Sequence, residues 1–417
     1  MLKMNEMPYV IGITMRLYPS DLQKDIISYN DGAARFIYNR LVARHQELFS
    51  LRKVKIFLSP VAERIVYLES LGEKSSDFKA NYSFLDDKRI DAQMIANAIK
   101  NYRTAWRSFA TNPGTSIPTF HKKSYDKRYQ TNAHYPKDAS CISDGNVYLT
   151  DKHHIMLPKL GRIRFSGSHR IQKIFSRTSE TRVGSIKISM DACGRYYASL
   201  QIGSVESFFK PAMKTGHHIG IDLNIDNFCT MSDGTVIDNP KYRAVIQAKL
   251  AKAQRKLSRR AVHAKADGRR FYDSKNYQEQ RLKVAYLHKK AALQNDAFQH
   301  ILSRHIIENQ DVVAVEDLKV KNLMGNHSLA KAISDCAWSS FVEKLSYKAA
   351  SYSKTLVKVP PENTTQTCHI CGHVLEGDNK LTLSDRTWVC PSCGAHHSRD
   401  LNAAINIMNR GLTILSM

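Results

Sequence analysis

No run in this 417-residue chain comes near the roughly eighteen consecutive apolar residues that a membrane-spanning helix needs. The opening stretch, MLKMNEMPYVIGITM, lacks the apolar core of a secretory signal peptide, so the chain is expected to work in the cytoplasm. Internal repeats and low-complexity tracts are missing too, which leaves ordinary globular domains, two or three of them on length. Acidic residues are few beside the basic ones: 38 stand against 62 Lys and Arg, a formal charge of +24. With a pI near 9.6 and 42% hydrophobic residues, the chain can build substantial cores and still has charge to hold a polyanion.

Cysteines outside two pairs are too scattered to form a framework. Cys141, Cys193, Cys229 and Cys336 stand alone, whereas Cys368 with Cys371 and Cys390 with Cys393 make two C-x-x-C knuckles. Inside the cell that pattern reads as metal binding and not as disulfides. Each pair precedes a glycine, in CHICG and CPSCG, where the backbone can turn its amides toward the thiolates. Four soft sulfur ligands complete a tetrahedral zinc with no open position, so this zinc is structural. His369, His373, His396 and His397 lie close by but are not needed as ligands.

Along the chain, YVIGITMRLYP reads as a strand, followed by a helix behind a Ser20 cap with Ile26, Ala33, Ile37 and Leu41 at helical spacing. DAQMIANAIKNYRTAWRSFA is a second helix whose Met94, Ile95, Ile99, Tyr102 and Trp106 read as core packing. From residue 112 the segment TNPGTSIPTFHKKSYDKRYQT interleaves proline, basic and aromatic residues, and short hairpin strands follow, suggesting a small β-barrel with a helical insertion. After Gly216 come three strands in HHIGIDLNIDNFCTMSDGTVIDNP, a basic helical hairpin, a buried strand DVVAVEDL, a helix, a strand, the cysteine pairs and a terminal helix. That alternation is of α/β type.

Three acids fit none of these packing roles as a set. Asp222 ends the buried-type strand HIGI, Glu316 ends VVAV, and Asp400 opens the helix after the second knuckle. A lone Asp400 could serve as a helix cap. Gathered in one place, two carboxylates about 4 Å apart repel by roughly 4 kcal/mol at an effective dielectric near 20, so the three require a cation. Oxygen ligands select a hard ion, Mg²⁺ or Mn²⁺, and a pair of such ions supports phosphodiester cleavage of nucleic acid.

GIDLNIDNF, VVAVEDLKVKNL, TCHICG, CPSCG and SRDLNAAINI, in this order, strongly resemble the RuvC-like nuclease domain of TnpB proteins, transposon-encoded relatives of type V CRISPR effectors. The likeness continues upstream in RLYPSDLQKDIISYNDGAARFIYN and LPKLGRIRF, and so spans nearly the whole chain. It implies an α/β, RNase H-like RuvC domain over residues 213–417 with a zinc ribbon inserted at 364–397. It further implies a wedge-type β-barrel over 1–20 and 111–212, interrupted by a helical recognition domain over 21–110. Asp222 on the first strand of the RuvC domain, Glu316 on its fourth and Asp400 after the ribbon match the family's catalytic triad.

By the same resemblance the partners are a guide RNA derived from the transposon end and a target DNA duplex carrying a short flanking motif. Guide pairing would read sequence while the protein grips backbone, as in another RNA-guided nuclease. A monomer is expected, and no membrane partner. Many relatives carry an acid two residues before the last catalytic Asp, where this chain has Ser398, which is expected to modulate activity. An RNA-guided DNA-binding regulator without cleavage, a transposase and a compact CRISPR-associated effector are the alternatives.

Overall fold

The structure, a computed structural model, describes residues 2–54, 59–167, 169–319, 327–382 and 384–416. The chain divides into two compact units, Met1–Phe208 and Phe209–Met417.

The first unit begins with strand β1 (Tyr9–Tyr18), whose Ile13, Met15 and Leu17 alternate inward. Ser20 then caps helix α1 (Asp21–Leu51): its hydroxyl accepts from the Gln23 amide, and the Gln23 side chain accepts from the Ser20 amide. Helices α2 (Ser59–Ser70), α3 (Ser75–Asn81) and α4 (Ala92–Thr111) complete the insertion before the chain returns to strands. These are β2 (Lys127–Asn132), β3 (Tyr148–Asp151), β4 (His154–Leu157) and β5 (Gly161–Phe165), then helix α5 (His169–Phe175), β6 (Thr181–Met190) and β7 (Tyr196–Ser204). They pair antiparallel in the order β2-β6-β7-β1-β5-β4-β3. β2 and β3 stand at the two ends of this sheet and share no ladder among the described residues, but the Asn146 amide just before β3 donates to the His134 carbonyl just beyond β2, so the two ends of the barrel expected from sequence meet there. Ile27, Ile37, Leu41, Ile95 and Tyr102 of the helices share one apolar core with Ile186, Leu200 and Ile202 of the sheet.

The second unit is built on β8 (His218–Leu223), β9 (Cys229–Met231), β10 (Val236–Ile237), β11 (Val312–Glu316) and β12 (Thr355–Val359), in the order β10-β9-β8-β11-β12. β8, β11 and β12 run parallel, while β9 and β10 are antiparallel. β8 and β11 are buried on both faces, as parallel strands covered by helices must be. Between β10 and β11 lies the basic hairpin of α6 (Tyr242–Ala266) and α7 (Lys275–Asn309). α7 buries Leu302, Ile306 and Ile307 but leaves Leu282, Leu293 and Ile301 exposed. Helices α8 (His327–Cys336) and α9 (Trp338–Tyr352) lead into β12. The two-stranded ribbon of β13 (Thr387–Val389) and β14 (His396–Ser398) comes next, and helix α10 (Arg399–Ser416) follows without a linker.

Candidate active site and metal centre

The register of two parallel strands does most of the assembly. Val312 of β11 lies opposite His218 of β8, and Val315 opposite Ile221. One residue further along each strand stand Glu316 and Asp222, so two acids remote in sequence emerge side by side at the carboxyl edge of the sheet. In an open α/β sheet that edge is where ligands bind.

The third acid depends on a helix lying very close to the sheet. α10 packs across β8, β11 and β12 and carries Asp400 in its first turn. A Cβ on Gly220 would stand 2.1 Å from the Ala404 carbonyl and 2.6 Å from the Met408 amide. On the other side of the contact, a Cβ on Gly411 would meet the Ala314 methyl at 2.6 Å. Both contacts fall two residues before an acid, at Gly220 before Asp222 and at Ala314 before Glu316. Small residues here let the helix backbone approach, and the approach brings Asp400 to the strand ends.

Asp222 is 7% exposed and Glu316 9%, while the Asp400 side chain is 18% exposed. Burial first, then the charges of Glu316 and Asp400, push the Asp222 carboxyl up to about 8. Burial likewise raises Glu316, against a hydrogen bond in which the Thr364 hydroxyl donates to its Oε1 at 2.5 Å. Asp400 faces two guanidinium groups, Arg399 at 3.1 Å and Arg386 at 3.8 Å, and Arg386 also holds Asp226. The protein's own groups therefore leave Asp222 and Glu316 under-compensated, and their oxygen-only donors suit a hard divalent cation. Glu316 and Asp400 are close enough to act on the Asp222 charge, but the three carboxylates do not bring their oxygens all within 4.8 Å of one another. Among the described residues, only the four cysteines bring three or more ligand atoms within 4.8 Å of one another.

Those cysteines are arranged as the spacing predicts. Sγ of Cys368 lies 3.7 Å from Sγ of Cys393, and Sγ of Cys371 lies 3.6 Å from that of Cys390. A tetrahedron with zinc–sulfur bonds of about 2.3 Å has edges of about 3.8 Å, so the four sulfurs fit the ion. The two knuckles are built alike. Cys368 N donates to His373 O and Gly372 N to Cys368 O, and Cys390 N donates to Ala395 O and Gly394 N to Cys390 O. Gly372 and Gly394 sit at φ 76° and 74°, the left-handed region a side chain would strain. Of the four histidines, His397 is buried and places Nε2 3.1 Å from Cys368 Sγ, beside the ligand shell and outside it.

The ribbon is tied to the acids by side chains that the sequence reading passed over. Asn402 Oδ1 accepts from the His369 amide at 3.0 Å, and its Nδ2 donates to Thr367 O at 2.7 Å. Asn406 Nδ2 donates to Thr364 O at 2.9 Å and Thr367 O at 2.6 Å. Thr364 in turn holds Glu316. One chain of hydrogen bonds thus runs from the first knuckle through α10 to the acid on β11. Two asparagines four apart on a buried helix face were the legible signal. Nothing local marked Thr364, Arg386 or Arg399. Ser398, at the end of β14, is exposed.

Three family models match the chain: "Probable transposase" over residues 201–327, "Cas12f1-like, TNB domain" over 338–407, and "Helix-turn-helix domain" over 7–53. The last covers β1 and the single helix α1, so these residues build a strand and one helix here. A Streptomyces pristinaespiralis protein named "Putative RNA-guided DNA endonuclease" is 30% identical over 95% of this chain and 88% of its own length. "Putative RNA-guided DNA endonuclease InsQ" of Escherichia coli K12 is 26% identical over 92% of this chain and 88% of its own. Among solved structures, the chain in a Cas12f1-sgRNA-target DNA complex aligns over 96% of this chain and 99% of that one. Its TM-score is 0.53 at 13% identity, a likeness of fold.

Proposed function

Because the chain belongs to the TnpB family, we propose that it is an RNA-guided DNA endonuclease that cuts DNA paired to its guide with one metal-dependent site made by Asp222, Glu316 and Asp400. The observation that carries this reading is that Asp222 and Glu316 each stand one residue beyond the Ile221–Val315 pair at the carboxyl edge of β8 and β11, with Asp400 near enough to raise the Asp222 proton affinity. The strand order β10-β9-β8-β11-β12, with α10 on the sheet, supports an RNase H-like assignment for this unit. The seven-stranded sheet and inserted helices of the first unit would serve as the wedge and recognition modules that hold guide RNA and the target-flanking motif.

Mg²⁺ or Mn²⁺ held by the three acids would supply an activated water and stabilise the leaving oxygen in phosphodiester hydrolysis. The residues of the chain prepare that site. Asp222 and Glu316, held at high proton affinity by burial, give up protons when a cation is bound, so the site loads better as pH rises toward 8. Thr364 fixes one oxygen of Glu316 and leaves the other without a hydrogen bond among the described residues. Arg399 and Arg386 hold Asp400 in place. The zinc ribbon stiffens the start of α10 through Asn402 and Asn406.

The test is to purify the protein with co-expressed RNA, sequence that RNA, and offer a plasmid library bearing the matching target beside randomised flanks, with Mg²⁺ or with EDTA. Cleavage beside one flanking motif, lost in EDTA and in Asp222→Ala, is the expected result. Specific binding with no cleavage in any divalent ion would leave a DNA-binding regulator. Hydrolysis that persists in Asp222→Ala would refute the site.

A further inference from the structure

The first unit holds a cavity of about 550 Å³ that plays no part in the cleavage site. It lies between α1, α4, β2 and the stretch in which proline, basic and aromatic residues interleave in the sequence. That wall is fixed in place. Asn39 donates to the His121 carbonyl at 3.0 Å and accepts from the His121 amide at 2.8 Å, and Gln46 donates to the Pro118 carbonyl at 2.8 Å. The His121 ring lies flat on Tyr38, with centroids 3.8 Å apart and planes 7° from parallel.

The lining is positive and partly uncompensated. Arg35 is paired with Asp31 at 3.0 Å, but Lys122, Arg128 and Lys187 have no side-chain partner among the described residues. Against these four cations the wall sets two acids, Asp31 and Asp126. Partial burial, then the charges of Arg128 and Arg35, hold the His121 imidazole below its usual value, so the field at the stacked ring is positive. Tyr129 lines the same cavity at 3% exposure, and its hydroxyl has no hydrogen-bond partner among the described residues. Asn101 and Gln130 add amide groups.

Cations alone would suit any anion. A stacked aromatic pair, amide donors and acceptors, and a volume within the roughly 300–1,000 Å³ range of small-ligand sites narrow the choice. Unstacked nucleotides are recognised by this combination of aromatic faces, hydrogen bonds to base edges and basic contacts to phosphate. We propose that the cavity receives a single nucleotide turned out of the stack of the bound nucleic acid. Its phosphate meets Lys122, Arg128 and Lys187, and its base lies by Tyr38 and His121. The proposal rests on the reading of the chain as an RNA-guided nuclease. The nucleotide could come from the guide RNA or from the target DNA, and the test separates them.

Full-length protein with its co-purified RNA is irradiated with ultraviolet light, with and without target duplex, and the cross-linked peptides are identified by mass. A cross-link to the peptides bearing His121 or Tyr129 before DNA is added assigns the nucleotide to the guide. A cross-link that forms only with DNA assigns it to the target. In parallel, Lys122→Glu/Arg128→Glu is compared with Lys173→Glu, a reversal of surface charge on α5. The double variant should bind the assigned nucleic acid at least tenfold more weakly, with a log–log salt slope flatter by about two. Tyr129→Phe, which keeps the fold and removes the hydroxyl, should lower the cross-link yield. The proposal is overturned by affinity and slope equal to those of Lys173→Glu, or by cross-links that avoid both peptides. Wild-type cleavage of matched plasmid is scored separately, so failure of the nuclease reading is distinguishable from failure of this one.

Discussion

Replacing Gly220 with alanine adds one methyl group at the point where α10 touches the sheet. The new Cβ would stand 2.1 Å from the Ala404 carbonyl oxygen, a backbone atom inside a helix, so no side chain can swing aside. Restoring ordinary contact, with carbon atoms about 3.5 Å from their neighbours, requires α10 to move by roughly 1 Å or more. Overpacking of this kind costs about 1–3 kcal/mol. In a unit of this size each kcal/mol lowers Tm by about 2–4 °C. The larger effect falls on chemistry, because the helix that shifts carries Asp400. A misplacement of about 1 Å is enough to slow a reaction about 100-fold. The assay is single-turnover cleavage of guide-matched plasmid alongside a thermal melt, with Gly12→Ala as the control, since a Cβ there meets nothing within 4 Å. Wild-type cleavage and Tm in Gly220→Ala would refute the argument that close helix-to-sheet approach positions the third acid.

Asp222→Asn should abolish cleavage and also stabilise the protein in EDTA. With its folded value raised to about 8, the native state holds a proton that the unfolded chain releases near 4. Wild-type stability in EDTA therefore falls as pH rises from about 4 to 8, and the penalty at pH 7 is at most about 4 kcal/mol. Melting curves of the variant should lie above wild type at pH 7 to 8 and coincide with it near pH 4, and a gap independent of pH would count against the cause given. Thr364→Val removes the donor that opposes the upward shift of Glu316, so about 10-fold or more of the metal affinity should be lost. Its cleavage profile should move to higher pH and be rescued by excess Mg²⁺, and an unchanged profile would exclude the role. Cys390→Ser should lose zinc by elemental analysis and impair cleavage while Asp222 and Glu316 remain intact. Full activity in a zinc-depleted Cys390→Ser preparation would sever the ribbon from the active site.

Local chemistry made several features readable before any fold was known. Cysteine spacing and the glycine after each pair predict two matched knuckles, because metal geometry and positive φ act within a few residues. Ser20 and Gln23 mark the start of α1 for the same reason. The three acids stood out because a carboxylate at the end of a buried strand is costly unless it serves something. That Asp222 and Glu316 stand at the ends of adjacent strands was not legible from residue chemistry alone, since it depends on how β11 slides against β8, and a slip of one residue would turn Glu316 to the opposite face.

The amino-acid order alone determined which side chains can bind zinc, which carboxylates are anomalous, and how strongly the chain attracts polyanions. These are properties of residue type and short spacing. Tertiary structure decided that the two ends of the first sheet meet through Asn146 and His134, that Gly220 and Gly411 admit α10, and that Asn402, Asn406 and Thr364 couple the ribbon to Glu316. Each of those depends on contacts between segments distant in sequence, and pairwise packing across such distances leaves no periodic trace in the chain.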